Sequence, residues 1–391
     1  FFFKQKTAYE ISTRDWSSDV CSSDLHELEA VLWPGLAMLV FVISAVIVDL
    51  VIIMATRYRL VDLPNRRSAH ALPTARGGGV AIVITMTAAA TAAAFRWPNM
   101  SGPIMLGALI PALVIGFVGV LDDMQPLRAT LRLVIHIGVA VAITWMLGPL
   151  ESLAIPGYGE IALGDVGWPL TVIWIVGLTN AFNFMDGIDG MAAFGAVVVG
   201  VLIALIGLAM WAPPSMVLGA FVAASAGGFL VFNWQPARVF MGDVGSAFLG
   251  TFFAALPLLF PSHMRAAVFI PIAMALWPYI YDPFMSVLRR IWNGQDPLQP
   301  HREFLFHRLV RSGVPHARVT LLYGALAFLG GIAGLAMLVG PVPESARCGL
   351  PLVVVLMAAL LTAGIEIRCA RVGLTPTGTP DHPPPTPPIE S

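Results

Sequence analysis

"PIMLGALIPALVIGFVGVLDD", residues 103–123, is apolar or small at every position from 103 to 121 and then ends in two adjacent carboxylates. Wound as a helix rising about 1.5 Å per residue, the apolar part reaches close to 30 Å, the thickness of a bilayer's hydrocarbon core. Ten further runs of this kind recur near 31–54, 77–95, 131–148, 168–183, 191–211, 216–233, 247–260, 266–286, 319–340 and 350–367. Those at 168–183 and 247–260 are the shortest. The whole chain of 391 residues is 57% hydrophobic and 12% charged, with a mean hydropathy of +0.81, against roughly 25% charged residues in soluble domains. A spanning chain must satisfy its backbone internally, which excludes an open sheet. The expected fold class is therefore all-α, a polytopic membrane bundle of about eleven transmembrane helices.

Arginine sets the orientation. With the N-terminus outside, sixteen arginines, from Arg57 to Arg371, fall on one side, and only Arg96, Arg265 and Arg347 fall on the other. The positive-inside rule then places the arginine-rich loops and the C-terminus in the cytoplasm. Residues 26–370 form the expected membrane domain. The preceding segment, "FFFKQKTAYEISTRDWSSDVCSSDL", has neither a signal-peptide layout nor amphipathic periodicity and holds the only lysines, Lys4 and Lys6. It resembles translated sequencing adapter, so residues 1–25 are expected to be non-native. Residues 371–391 include "TPTGTPDHPPPTPPIES", a proline-rich stretch that cannot pack a core and reads as a disordered cytoplasmic tail. Cys348 and Cys369 fall on opposite sides of this topology, so no disulfide framework is expected.

The acidic residues share one face. Asp122 and Asp123 end the third run, Asp186 and Asp189 in "NAFNFMDGIDG" follow the fifth, and Asp243 in "RVFMGDVGS" follows the seventh. Carboxylates at helix ends are often solvated caps, but three glycine-set clusters on one side argue for a site. Asp186 and Asp189 share a helical face if their segment is helical. Hard oxygen donors of this sort suit Mg²⁺ or Mn²⁺ carried with a diphosphate, and Asn183 adds an amide oxygen. The neighbouring glycines would let backbone amides approach phosphate oxygens. Two basic loops complete the pattern: "DLPNRRSAHALPTARGGG" offers Arg66, Arg67, His70 and Arg76, and "QDPLQPHREFLFHRL" offers His301, Arg302, His307 and Arg308. They read as phosphate or nucleotide contacts. His301 and His307 lie six apart, which is not the spacing of a helical metal pair.

Taken in order, "DLPNRRSAHALPTARGGG", "LDD", "NAFNFMDGIDG", "MGDVGS" and "PHREFLFHRL" resemble the polyprenyl-phosphate N-acetylhexosamine-1-phosphate transferases, over roughly residues 31–370. The histidine loop is more similar to WecA- and WbpL-like members, which start O-antigen and related glycans, than to the MraY type, with its run of histidines. The resemblance implies a multi-pass protein of the bacterial inner membrane with a cytoplasmic active site. There, undecaprenyl phosphate attacks the β-phosphorus of a UDP-N-acetylhexosamine and UMP leaves, with Mg²⁺ required. It implies that Asn183 and Asp243 hold the metal and that Asp122 orients or deprotonates the lipid phosphate with support from Asp123. Asp186 and Asp189 would arrange the nucleotide and diphosphate. It also implies a homodimer; no nucleic-acid partner is expected. An MraY-type phospho-N-acetylmuramoyl-pentapeptide transferase is the nearest alternative. From another class, an ion-coupled transporter would use Asp49 and Asp282, which lie inside apolar runs. A CDP-alcohol phosphatidyltransferase expects a "DGxxAR" opening, which "DGIDGMAAFG" lacks.

Overall fold

The computed structural model of the chain describes residues 15–58, 61–62, 74–296, 303–340 and 342–374. Helix α1 (Asp15–Arg57) is followed by a short antiparallel pair, β1 (Val61–Asp62) and β2 (Thr74–Ala75), and by α2 (Gly79–Arg96). Then α3 (Pro98–Gly102), a π-helical segment at Pro103–Leu109 and α4 (Ile110–Met124) run as one rod. Pro103 and Pro111 cannot donate to the α-helical ladder, and the rod widens between them. After α5 (Ala129–Leu147) comes a hairpin, β3 (Ser152–Ile155) with β4 (Gly159–Ala162). It leads into α6 (Gly167–Phe184), α7 (Met191–Ala209) and α8 (Pro213–Asn233). The chain continues through α9 (Asp243–Ala255), α10 (Ser262–Trp292), α11 (Leu305–Arg311), α12 (His316–Val339), α13 (Glu344–Arg347) and α14 (Gly349–Arg371).

Among the described residues, nine helices are long and apolar enough to cross a membrane. The two shortest apolar runs of the sequence form α6 and α9, which fall outside those nine. Helix α6 carries Thr171, Thr179, Asn180 and Asn183, and α9 has 13 residues before a 3₁₀ turn at Leu256–Leu259. Helix α9 sits at the centre of the bundle, where the lack of contact with lipid removes the need for a full-length apolar rod, whereas α6 keeps an outward stripe that includes Trp168 and Ile173. Helix α9 is buried from Val244 to Ala255, with Phe248, Phe252 and Phe253 inaccessible. In contrast, α1 and α14 leave most of their apolar surface outward, as peripheral helices facing lipid would.

Small residues let the helices approach closely, because packing rather than the hydrophobic effect drives association between helices in lipid. A Cβ at Gly219 of α8 would lie 2.6 Å from the Ala204 nitrogen of α7. One at Gly119 of α4 would lie 2.5 Å from the Asp243 carbonyl. The second approach matters for function: it seats the start of α9 directly against the end of α4. The run Gly77–Gly79 adds a strap. Gly78 and Gly79 donate to the Phe240 and Met241 carbonyls at 2.9 Å, and Phe240 donates back to Ala75 at 2.8 Å. Its amides are thereby committed to holding the loop before α9.

Candidate active site

At one end of the bundle, Asp122, Asp123, Asp186 and Asp243 converge from three separate segments. Each is positioned by backbone. The Leu127 amide donates to Asp122 at 2.6 Å, in the turn that follows α4. The first two amides of α9, those of Asp243 and Val244, donate to the two oxygens of Asp123 at 3.3 and 3.4 Å. This is the favoured place for a carboxylate, at the positive end of a helix. Gly242 precedes it with φ +74°, and a Cβ there would lie 2.6 Å from Asp123 Oδ2. Glycine is required on both counts.

Arg132, on the first turn of α5, is the cation of the group. Its guanidinium is ion-paired with Asp122 and lies 3.3 Å from Asp243 Oδ2. Arg76, brought in by the glycine strap, bears electrostatically on Asp123. Asp186 has Gly242 as a backbone donor, yet its carboxyl is pushed up to about 7. Enclosure by the surrounding protein is the main cause, and the negative charges of Asp243 and Asp123 add to it. Asn183 stands on the last turn of α6, its Oδ1 accepting from Ser246 Oγ at 2.5 Å. Ser246 is thus the residue of "MGDVGS" that ties α9 to α6.

The expected site is only partly assembled in this way. Asp189 turns aside: its carboxylate accepts from the Ala237 amide at 3.2 Å and stands 3.4 Å from His316 Nδ1. His307 packs beside Gly187, where a Cβ would lie 3.1 Å from its Nε2, so it borders the Asp186 segment. Arg308 departs from the expected substrate contact. It is fully buried and makes a bidentate pair with Glu366 of α14, at 2.6 and 2.7 Å. Its planar fork has found a carboxylate within the protein and is not available to a phosphate. The expectation that glycine-set amides approach phosphate is also corrected. Those at the start of α9 hold Asp123, and the Gly190 amide donates to Asn233 Oδ1 at 3.0 Å. Arg66, Arg67, His70, His301 and Arg302 lie outside the described residues.

Three contributors were not singled out in the sequence. Arg132 pairs with an aspartate ten positions back, a spacing that no helix or strand period marks. His136 follows Arg132 by one turn. With Asn180, Asn183, Asp122 and Asp243 they line a cleft between α4, α5, α6 and α9. His316 reaches Asp189 across 127 positions.

The two acids of the transporter reading are engaged elsewhere. Asp49 lies 3.7 Å from Arg238, both substantially exposed. Asp282 is inaccessible and accepts from the Leu305 and Phe306 amides at 2.6 and 3.0 Å and from Tyr323 Oη at 2.6 Å. It caps α11 and so positions His307.

Comparison with known proteins agrees with this geometry. The glycosyl transferase family 4 model matches residues 105–260, which contain all four clustered aspartates. A probable undecaprenyl-phosphate N-acetylglucosaminyl 1-phosphate transferase of Bacillus subtilis is 35% identical, over 73% of this chain and 79% of its own. A decaprenyl-phosphate N-acetylglucosaminephosphotransferase of Mycolicibacterium smegmatis is 31% identical, over 71% and 76% respectively. A phospho-N-acetylmuramoyl-pentapeptide-transferase of a Synechococcus strain is 33% identical, over 59% and 71%. Convergent carboxylates at one end of an apolar bundle, and relatives that match most of its length, make the chain a member of glycosyl transferase family 4.

Proposed function

We propose that the protein transfers N-acetylglucosamine 1-phosphate from UDP-N-acetylglucosamine to undecaprenyl phosphate, at the cytoplasmic face of a bacterial inner membrane, and releases UMP. The observation that carries this reading is the convergence of four carboxylates and one guanidinium at the bundle's polar end, with Asp122, Asp243 and Arg132 lining a cleft between the apolar helices. A prenyl chain stays in lipid and a sugar nucleotide stays in water, so their reacting atoms can meet only at such a plane. The names of the Bacillus and Mycolicibacterium relatives, an N-acetylglucosaminyl 1-phosphate transferase and an N-acetylglucosaminephosphotransferase acting on polyprenyl phosphates, support the sugar and the lipid class.

The donor set fits Mg²⁺, with Mn²⁺ as a substitute. Asp243, Asp186, Asp123 and Asn183 are hard oxygen donors gathered with few cations among them. Among the described residues, no three acidic, histidine or cysteine side chains form a closed ligand cage. That combination suits an ion held by one or two carboxylates and completed by substrate phosphates, as Mg²⁺ sites commonly are. When bound, the ion would neutralise charge on the transferring diphosphate. On this reading Asp122 and Arg132 orient the lipid phosphate, Asp243 and Asn183 hold the metal, and Asp186 sets the diphosphate. A lipid phosphate oxygen bonds to the sugar-side phosphorus, the bridging P–O bond breaks, and UMP carries away the electron pair. A phosphate monoester is already anionic near neutral pH, so positioning suffices and a covalent aspartyl intermediate is not needed. The downstream product would be an O-antigen or related envelope glycan.

Membranes containing the protein, given undecaprenyl phosphate and either labelled UDP-N-acetylglucosamine or UDP-N-acetylmuramoyl-pentapeptide, test this directly. The expected result is a lipid-linked N-acetylglucosamine diphosphate and UMP, dependent on Mg²⁺. Product from the muramoyl donor alone would assign the activity of the Synechococcus relative, and UDP as the released nucleotide would exclude sugar-phosphate transfer.

A further inference from the structure

His136 lies two turns into α5 and is 6% exposed, and its Nδ1 has no hydrogen-bond partner. Buried ring nitrogens are nearly always paired, so an unpartnered nitrogen on a ring that lines a cleft points to a ligand. The cleft it lines is the one that ends at the carboxylates. Arg132 is one helical turn closer to the bundle's polar end on the same face, Asn180 stands across from it on α6, and Asp122, Asn183 and Asp243 close that end. Asn180 is itself fixed, its amide nitrogen donating to the Val176 carbonyl at 2.7 Å, and its side chain also holds the His136 ring. The rest of the lining is apolar, with Ile115, Val118 and Ala247. The outer side of α5 is open, with Val134 65% exposed and Val141 44% exposed.

We propose that His136 is a positioning residue for the lipid acceptor, its Nδ1 hydrogen-bonding an oxygen of the acceptor's phosphate inside this cleft. The inference rests on the transferase reading for the identity of the ligand. It goes further by assigning one monophosphate to one side chain. The nucleotide arrives from water and meets the Asp186 and His307 side, whereas a group entering from lipid beside α5 meets His136 first and Arg132 next. The prenyl chain would lie along the apolar outer face of α5 with its phosphate turned inward.

The test uses the full chain in detergent, with farnesyl phosphate as probe and farnesol as the control that lacks the phosphate. Farnesyl phosphate should raise the melting temperature of the wild type and of His136→Gln, which keeps a polar atom in reach. Farnesol should not. His136→Leu should bind farnesyl phosphate about tenfold more weakly, the loss expected for one hydrogen bond to a charged group. In turnover, its KM for undecaprenyl phosphate should rise by a similar factor while KM for UDP-N-acetylglucosamine stays within about twofold. If His136→Leu does not melt cooperatively, His136→Phe replaces it. Equal binding by wild type and apolar variant, or an equal rise in both KM values, overturns the proposal. A wild type that binds farnesyl phosphate through His136 yet transfers no sugar phosphate keeps the proposal and removes the transferase reading.

Discussion

Replacing Asp243 with Asn should abolish most of the activity and leave the fold in place. Asp243 holds the end of α4 through its backbone: its amide donates to Asp123, and its carbonyl packs against Gly119. Neither contact uses the side chain. The carboxyl's own contacts are Arg132 at 3.3 Å and the Asp122 side chain, and an amide can meet both. What is lost is a negative charge among four. Metal-assisted charge stabilisation is worth several kcal/mol; a loss of about 4 kcal/mol, at about 1.4 kcal/mol per tenfold, predicts a rate reduced about a thousandfold. The same substitution removes one of the charges that push the Asp186 carboxyl up, so the metal-free protein should melt no lower than wild type above pH 7. Asp49→Asn is the control, because exposed pairs such as Asp49 with Arg238 contribute about 0–1 kcal/mol. It should keep its rate within about tenfold, whereas a transporter using Asp49 demands the reverse ranking. Both variants would be assayed across a Mg²⁺ titration after their melts are compared. An Asp243→Asn enzyme with near-normal rate and unchanged Mg²⁺ dependence would falsify the assignment of Asp243 as a metal ligand.

Three further outcomes are expected. The Asp186 carboxyl moves from its ordinary 3.8 to about 7, so in the metal-free protein its proton stabilises the fold fully below about pH 4, and that contribution is lost as pH rises through 7. Melts in chelator should therefore fall between pH 5.5 and 8, less steeply in Asp186→Asn; an equally steep fall in Asp186→Asn would remove Asp186 as the group that titrates there. Glu366→Ala removes the bidentate partner of the buried Arg308; because Glu366 itself is 42% exposed and its charge is screened, the loss is about 1–3 kcal/mol. The melting temperature should drop while KM for UDP-N-acetylglucosamine stays within about twofold, and a large KM effect with an unchanged melt would return Arg308 to the substrate site. Asp282→Ala leaves two amides and the Tyr323 hydroxyl without their acceptor, at about 1–3 kcal/mol each, so it should destabilise the protein and lower kcat through the misplaced α11, as measured by melting and by turnover at saturating substrate.

The apolar runs and the one-sided aspartates were legible in the sequence because both are one-dimensional signals. Bilayer thickness fixes the length of a run, and a residue at its end is at the interface whatever the packing. The carboxylates' partners were not legible in this way. Asp122 finds Arg132 because the Met124–Arg128 turn reverses the chain, and Arg308 is drawn to Glu366, 58 positions away, by the packing of α11 on α14. A basic residue within a motif-like loop reads as a substrate contact until its fork is seen to be occupied. Glycine was similarly ambiguous. "DGIDG" and "GDVGS" suit phosphate binding, but Gly187 and Gly242 are where α11 and Asp123 press against the backbone.

The charge balance of the site gives its own reason for a divalent ion. Asp122, Asp123, Asp186 and Asp243 face Arg132, paired with two of them, and Arg76, which bears electrostatically on Asp123, and the proposed substrates add a diphosphate and a phosphate. Two anionic substrates brought to an anionic cluster at the edge of a low-dielectric bundle would repel one another and the protein strongly. The Asp186 carboxyl, raised chiefly by its enclosure, is raised further by repulsion from Asp243 and Asp123. On the proposed function, a sugar nucleotide bound with a divalent cation would offset the carboxylates' charge in place of the Asp186 proton. The sites of the two substrates would then be coupled, because Arg132, less engaged by Asp122 and Asp243, would be freer for the acceptor. On this reading the lipid phosphate binds more tightly after the metal-nucleotide complex than before it, and by linkage the same factor applies to the nucleotide once the lipid is in place.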